Sequence, residues 1–341
     1  MARCRLAALL VLASLVALGA SLRCVQCGRQ IRGKYLTSLG KPYCSQACYE
    51  KTLPVCAVCG RRCTGRFVRS DGKTFCSQRC FRTTLPVCEI CGVRVRKAIV
   101  LDGTHVFCER CAALPDCSRC QLPCAKGTKF LDGRRLCENC QKDAVLDPAQ
   151  ARELYRRARS EVAAATGMRS DSMPPLELVG LDRITEELDV ELSADDRMVR
   201  RGLYQRTETT TTAKNIFGLV LKRDTAVTER VLMLYGLSRE AFLATASHEL
   251  MHDLLAENVP AVGEAPLWVE EGVCQYAAAL VCRRMRLKHV LEDIQTCPDR
   301  CYGDGYRYVK RLAGPHNWPR VRAWLRETDL AKLPRHPPAT D

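Results

Sequence analysis

Beyond its first twenty residues the chain has no apolar run long enough to cross a bilayer. That excludes a polytopic helical membrane protein. Aromatic residues make up only 6% of the 341, and no concentrated basic stretch carries aromatics between its charges. A nucleic-acid-binding surface is therefore not expected. Histidine is scarce, at six residues. Cysteine is the residue in excess: there are 23, and 19 of them precede residue 141. Charge divides at the same place. Residues 1–150 hold 25 Lys+Arg against 10 Asp+Glu, and residues 151–341 hold 28 of each, so the whole formal +15 sits in front. A zinc ion held by four thiolates carries a charge of about −2. Four such sites leave the front half mildly basic, and its scattered cations read as compensation for thiolate charge.

The first twenty residues read as an export signal. Arg3 and Arg5 precede an uninterrupted apolar and small-residue run, Leu6 to Ala20, and Ala17-Leu18-Gly19 offers small residues for cleavage. No cysteine stands where a lipoprotein signal would place one. The expected location is exported, periplasmic or secreted. The alternative is a membrane anchor formed by an uncleaved N-terminal segment, the only route by which a membrane would become a partner.

The cysteines form an internal repeat. Cys24, Cys27, Cys44 and Cys48 make the first set, and Cys56, Cys59, Cys76 and Cys80 the second. Cys88, Cys91, Cys108 and Cys111 make the third, and Cys117, Cys120, Cys137 and Cys140 the fourth. Sixteen residues separate the two pairs in every set, and the sets recur after 32, 32 and 29 residues. A C-x-x-C knuckle puts two sulfurs on one side of a turn, and a short hairpin brings the second pair across to complete a tetrahedron. The hairpin turns stand at Leu39-Gly40, Asp71-Gly72, Asp102-Gly103 and Asp132-Gly133. Modules of about 30 residues bury too little apolar surface to fold alone, so metal supplies the folding free energy. Export would favour disulfides, but four matching C-x-x-C sets fit zinc better. Cys63 and Cys124 occupy a position held elsewhere by Ile31 and Val95, and read as small buried hydrophobes.

These units resemble halves of LIM domains, which implies treble-clef zinc modules with protein partners. The expected boundaries are a signal peptide at 1–20, zinc modules at 21–50, 51–83, 84–113 and 114–143, and a linker helix at 144–175. A peptidase-like domain at 176–330 and a flexible tail at 331–341 follow.

The second half carries a different signal. His248-Glu249-Leu250-Met251-His252 reads H-E-x-x-H inside a segment with a helical pattern. Histidines four apart share one helix face, so both can reach one zinc ion, and the intervening glutamate can take a proton from water. The segment follows strand-like stretches at Leu176–Leu181, Val190–Leu192, Ile216–Leu221 and Val227–Tyr235, with Gly218 on a possible substrate-pairing edge. Gly236 then turns the chain and Ser238 is suited to cap the helix. A strand, a turn and a metal-binding helix is the order used by zincin peptidases. Nineteen residues past His252 lies Glu271, in the segment Leu267-Trp268-Val269-Glu270-Glu271-Gly272. Glu270 and Glu271 both compete for the third ligand position, and the W-x-x-E-G pattern of His-His-Glu aminopeptidases favours Glu271. Gln275 is one turn on and suited to orient a ligand. Tyr302 and Tyr306 are candidate oxyanion donors, with Tyr306 preferred. Cys282 is a candidate to pair with Cys297 or Cys301, and His316 reads as a loop residue.

The runs Val231–Leu237, His248–His252, Val269–Gln275 and Tyr302–Arg307 are similar to the peptidase domain of the plant LIM-domain, ubiquitin-activated growth regulators. The resemblance implies an α+β chain: four LIM-like zinc modules, then a zincin (gluzincin-like) metallopeptidase domain. It implies five zinc ions, four structural and one at His248, His252 and Glu271, with Glu249 as the base. A protein or peptide is the expected substrate, with a protein partner for the zinc modules. The alternative is a zinc-module interaction scaffold with an inactive peptidase half, although a scaffold has no need to keep Glu249.

Overall fold

The computed structural model describes residues 22–171, 173–188, 201–214 and 220–338. The export segment, the strand expected at Val190–Leu192 and Gly218 lie outside them. The chain divides into two compact units, Met1–Leu114 and Pro115–Asp341.

The first unit holds three of the cysteine modules, each built from a hairpin and a short helix. The hairpins pair β1 (Leu36–Ser38) with β2 (Lys41–Tyr43), β3 (Val68–Ser70) with β4 (Lys73–Phe75), and β5 (Ile99–Leu101) with β6 (His105–Phe107). Leu39 and Gly40 both take positive φ, 51° and 76°, as the tight turn between right-twisted strands requires. The helices are α1 (Gln46–Glu50), α2 (Gln78–Thr83) and α3 (Glu109–Ala112). Ser45 and Ser77 cap the first two by accepting from the N–H groups of Cys48 and Cys80. The residue before each third cysteine, Tyr43, Phe75 and Phe107, is buried and makes each module's small core. Arg62 donates to the carbonyls of Lys51 and Leu53, and Arg94 to those of Thr83 and Leu85. One repeated arginine therefore ties the second and third modules to the spacers before them. In the fourth module the equivalent position is Pro123.

The fourth module belongs to the second unit. Its elements are β7 (Gly127–Lys129), β8 (Arg135–Cys137) and α4 (Glu138–Gln141). Its hairpin carries Arg134, which donates to the Tyr235 carbonyl at 3.0 Å and lies over the rings of Phe130 and Tyr235. Asp132 pairs with Arg134 at 2.8 Å and accepts from the Leu181 N–H at 2.9 Å. Val145 N–H donates to the Leu237 carbonyl and Gly236 N–H to that of Val145, both at 2.8 Å. The module is thus bound into the second unit by backbone pairing and one buried ion pair.

The rest of the unit mixes helix and sheet. Asp147 accepts from the N–H groups of Ala149 and Gln150, Pro148 opens the helix, and Gly167 at φ 69° closes it. This α5 (Pro148–Thr166) is the expected linker, but it does not link. Leu154, Tyr155, Ala158 and Val162 are buried in the core. A short strand β9 (Leu176–Val179) runs parallel to β11 (Val220–Leu234), and β11 runs antiparallel to β10 (Gly202–Lys214), giving the order β10-β11-β9. The Thr209–Thr212 run lies on β10, paired with Ala226–Arg223. After α6 (Leu181–Leu188) and the sheet come α7 (Arg239–Asn258), capped by Ser238, and α8 (Leu267–Met285). Then follow α9 (Lys288–Thr296), α10 (Gly305–Ala313) and α11 (Trp318–Glu327). The start of the expected flexible tail is held, since Leu330 is buried and the Trp268 indole donates to the Pro334 carbonyl at 2.7 Å.

Asp132 gives the junction a testable weak point. Burial pushes its carboxyl up, but Arg134 and the Leu181 N–H outweigh that and hold it below the usual carboxylate range. Its contribution is present above the unfolded value of about 3.9 and is lost as pH falls through the lower folded value. Asp132→Ala leaves Arg134 and the Leu181 N–H without their acceptor, and is expected to cost about 3 kcal/mol at pH 7. Urea unfolding of the zinc-loaded chain checks this, and an unchanged midpoint would mean that other contacts hold the module.

Candidate metal centre

The four cysteine sets meet the geometry of structural zinc sites. Zinc–sulfur bonds of about 2.3 Å in a tetrahedron put neighbouring sulfurs roughly 3.8 Å apart. Cys27–Cys44 and Cys59–Cys76 are each 3.6 Å apart, Cys44–Cys48 is 3.5 Å, Cys91–Cys108 is 3.8 Å and Cys120–Cys137 is 3.9 Å. Within each set all four sulfurs lie within 4.8 Å of one another. The pKa of the first thiol in each set is lowered and that of a later one raised: Cys44 and Cys76 by hydrogen bonds with the other thiols, Cys111 and Cys140 by burial and then by such bonds. At Cys24, Cys88 and Cys117 burial pushes the pKa up, but N–H groups of the knuckle and of the third cysteine outweigh it and leave about 6, 6 and 7. At Cys56 the N–H of Cys59 leads, and the value is again about 6. Cys63 and Cys124 are buried outside the sets. Cys282 and Cys297 are free thiols. The pairing expected for Cys282 is not made, since its thiol is fully buried in the core.

The fifth cluster is built by two helices. On α7, His248 and His252 stand one turn apart with their Nε2 atoms 3.2 Å from each other. On α8, Glu271 places Oε2 3.0 Å from His248 Nε2 and 3.5 Å from His252 Nε2. Metal–nitrogen and metal–oxygen bonds of about 2.0–2.1 Å in a tetrahedron set donors roughly 3.4 Å apart, so these three fit a zinc ion. All three side chains are buried. Burial pushes the Glu271 carboxyl up, but the two histidines override it and hold it far below its usual range. Glycine follows Glu271 for a steric reason. A Cβ on Gly272 would come within 2.5 Å of the Gly305 carbonyl carbon, because α8 and the start of α10 touch backbone to backbone.

Glu249 faces the same cleft. Its Oε2 accepts from the Tyr204 N–H of β10 at 2.8 Å. Burial raises its pKa, against the lowering effect of the two histidines and the Tyr204 N–H. The cleft has a volume of about 310 Å³ and is lined by His248, Glu249, Gln275 and Tyr302 among others. Tyr302 sits in a π-turn, Arg300–Asp304, which aims its hydroxyl at Glu271 Oε1, 3.1 Å away. Tyr306, the preferred oxyanion donor, is not brought to the cleft. It is fully buried at the start of α10, and its hydroxyl accepts from Arg283. His316 is exposed in a loop.

The supporting roles of three residues escaped the sequence reading, which weighed Glu270 only as a rival ligand. Glu270 sits with Oε1 2.7 Å from His252 Nδ1, and so orients the ring whose other nitrogen faces Glu271. The Tyr204 ring stacks parallel to His252, with centroids 6.1 Å apart. Arg159 of α5 pairs with the buried Asp253 at 2.7 Å and anchors α7 beside His252. Only the adjacency of Glu270 to the motif was a usable signal.

No protein-family model matches the chain. Protein DA1-related 1 of Arabidopsis thaliana is 30% identical over 183 residues, 48% of this chain and 32% of that protein. LIM domain-containing protein HDR3 of Oryza sativa subsp. japonica is 28% identical over 184 residues, 49% of this chain and 36% of that protein. Protein DA1 of Arabidopsis thaliana is 28% identical over 184 residues, 49% and 34% respectively. The chain spans about a third of the length of these relatives. The comparison overturns the expectation of an exported or membrane-anchored protein, because the relatives are plant LIM-domain and DA1 proteins. No helix among the described residues is long and apolar enough to cross a membrane. By these matches, at 28–31% identity over about half its length, the chain is a homologue of the plant LIM-domain DA1 proteins.

Proposed function

We propose that the chain is a zinc-dependent endopeptidase acting on protein substrates, with cysteine-rich modules that recruit a protein partner or regulate the cleft. The observation that carries this reading is the approach of His248, His252 and Glu271 to within 3.0–3.5 Å of one another in a cleft that also presents Glu249. Bound by these three residues, zinc supplies a Lewis acid that polarises the scissile carbonyl and acidifies water. Glu249, raised by burial, takes the proton of the attacking water and passes it to the leaving amine. The Tyr302 hydroxyl turns from Glu271 to donate to the oxyanion that develops at the carbonyl oxygen. Glu270 holds the His252 ring in place. The scaffold alternative is less well supported, because nothing in partner binding requires Glu249 beside two histidines and a carboxylate. The expected result is five zinc equivalents per chain by elemental analysis and hydrolysis of β-casein, both measured on the full-length chain. A chelator that strips one zinc should abolish the hydrolysis. One equivalent or none, or hydrolysis indifferent to chelation, would refute the proposal.

A further inference from the structure

A second and larger cavity, about 900 Å³, lies between the fourth zinc module and the helices of the second unit. Asp116 and Arg119 stand on the module side, and Glu240 and His289 on the helical side. Its volume falls in the upper range of ligand-binding pockets. It adjoins the cleft of the metal centre, since Arg201, Val290 and Asp293 line both. We infer that this groove holds an extended segment of the polypeptide being cleaved, so that the fourth zinc module is a wall of the substrate-binding site. The inference rests on the peptidase reading and adds where its substrate lies.

Three observations carry it. The first is adjacency: Arg201 and Asp293, paired at 3.8 Å, line both cavities and form the shared edge that a chain leaving the cleft would cross into the groove. The second is size. The cleft, at about 310 Å³, has room for only a few residues, and the groove is about three times larger. The third is rigidity. The Asp132–Arg134 pair, the cation over Phe130 and Tyr235, and the backbone pairing at Val145 fix this module within the second unit. It has exchanged the spacer-clamping arginine of the second and third modules for Pro123, and it carries Arg134 where the other hairpins have Lys41, Lys73 or His105. A fixed wall presents a preorganised groove and lowers the ordering cost of binding an extended chain.

The test fills the groove. In the zinc-loaded full chain carrying Glu249→Gln, binding of fluorescein-labelled β-casein is followed by anisotropy. Glu240→Trp on one wall and Asp116→Trp on the other are then added singly. Both residues are exposed, so the parent fold is expected to persist, and matched melting temperatures establish that it does. Each tryptophan is expected to weaken β-casein binding at least tenfold. Unchanged β-casein binding in both variants would overturn the inference, as would absence of binding to the parent. If β-casein binds and the tryptophans expel it, but the Glu249 form hydrolyses nothing, the groove assignment stands and the peptidase reading falls.

Discussion

Glu249→Gln is expected to lower hydrolysis of β-casein about a thousandfold while leaving five zinc ions and the fold in place. The amide has nearly the volume of the carboxylate but cannot accept the proton of the attacking water. General base catalysis is worth roughly 10²–10⁴-fold, and a thousandfold loss corresponds to about 4 kcal/mol of transition-state stabilisation. The substitution tests the base with little disturbance elsewhere, because Glu249 is not among the three donors that converge on one point. The Tyr204 N–H can still donate to the amide oxygen of the new side chain. The measurement is kcat at saturating substrate beside elemental zinc content. A variant as fast as the parent with full zinc would remove Glu249 from its role. A slow variant that has also lost a zinc ion would show a structural effect instead.

Glu271→Ala should release the fifth zinc during dialysis against a mild chelator, with the four cysteine-held ions retained. Two histidines without an anionic donor form an incomplete site. Glu270→Ala, one residue away, should behave differently. Position alone suggests no effect, since consecutive helical residues point about 100° apart. The structure corrects that expectation, because Glu270 reaches the far nitrogen of His252. Loss of such a supporting contact weakens metal binding about 10–100-fold without removing a donor. The expected order of zinc retention is therefore parent, then Glu270→Ala, then Glu271→Ala, read by metal analysis across a chelator series. Reversal of the last two would exchange the roles of the two glutamates.

Much of the candidate site was legible in the sequence, because its determinants are periodic. Sixteen cysteines at a constant spacing define four tetrads, since a knuckle and a hairpin leave few other ways to place four sulfurs. His248 and His252 share a helix face by the 3.6-residue period alone. The Gly236 turn and the Ser238 cap are local chemistry and read directly. The tyrosine assignment was not legible. Tyr302 and Tyr306 are four apart, and a continuous helix would have put both on one face. A π-turn ending at Asp304 breaks that period and sends Tyr302 to Glu271 and Tyr306 to Arg283.

What the sequence by itself determined is therefore the set of candidate metal donors and the local elements that carry them, because both follow from spacing along one segment. The tertiary structure alone decided the rest. It made the expected linker helix part of the core and placed Glu270 behind His252. It braced Glu249 with a strand amide 45 residues away. It also joined the fourth zinc module to the second unit. These outcomes depend on which surfaces remain to be buried once the local elements exist. No periodicity encodes the partner of a hydrogen bond between segments so far apart in the chain.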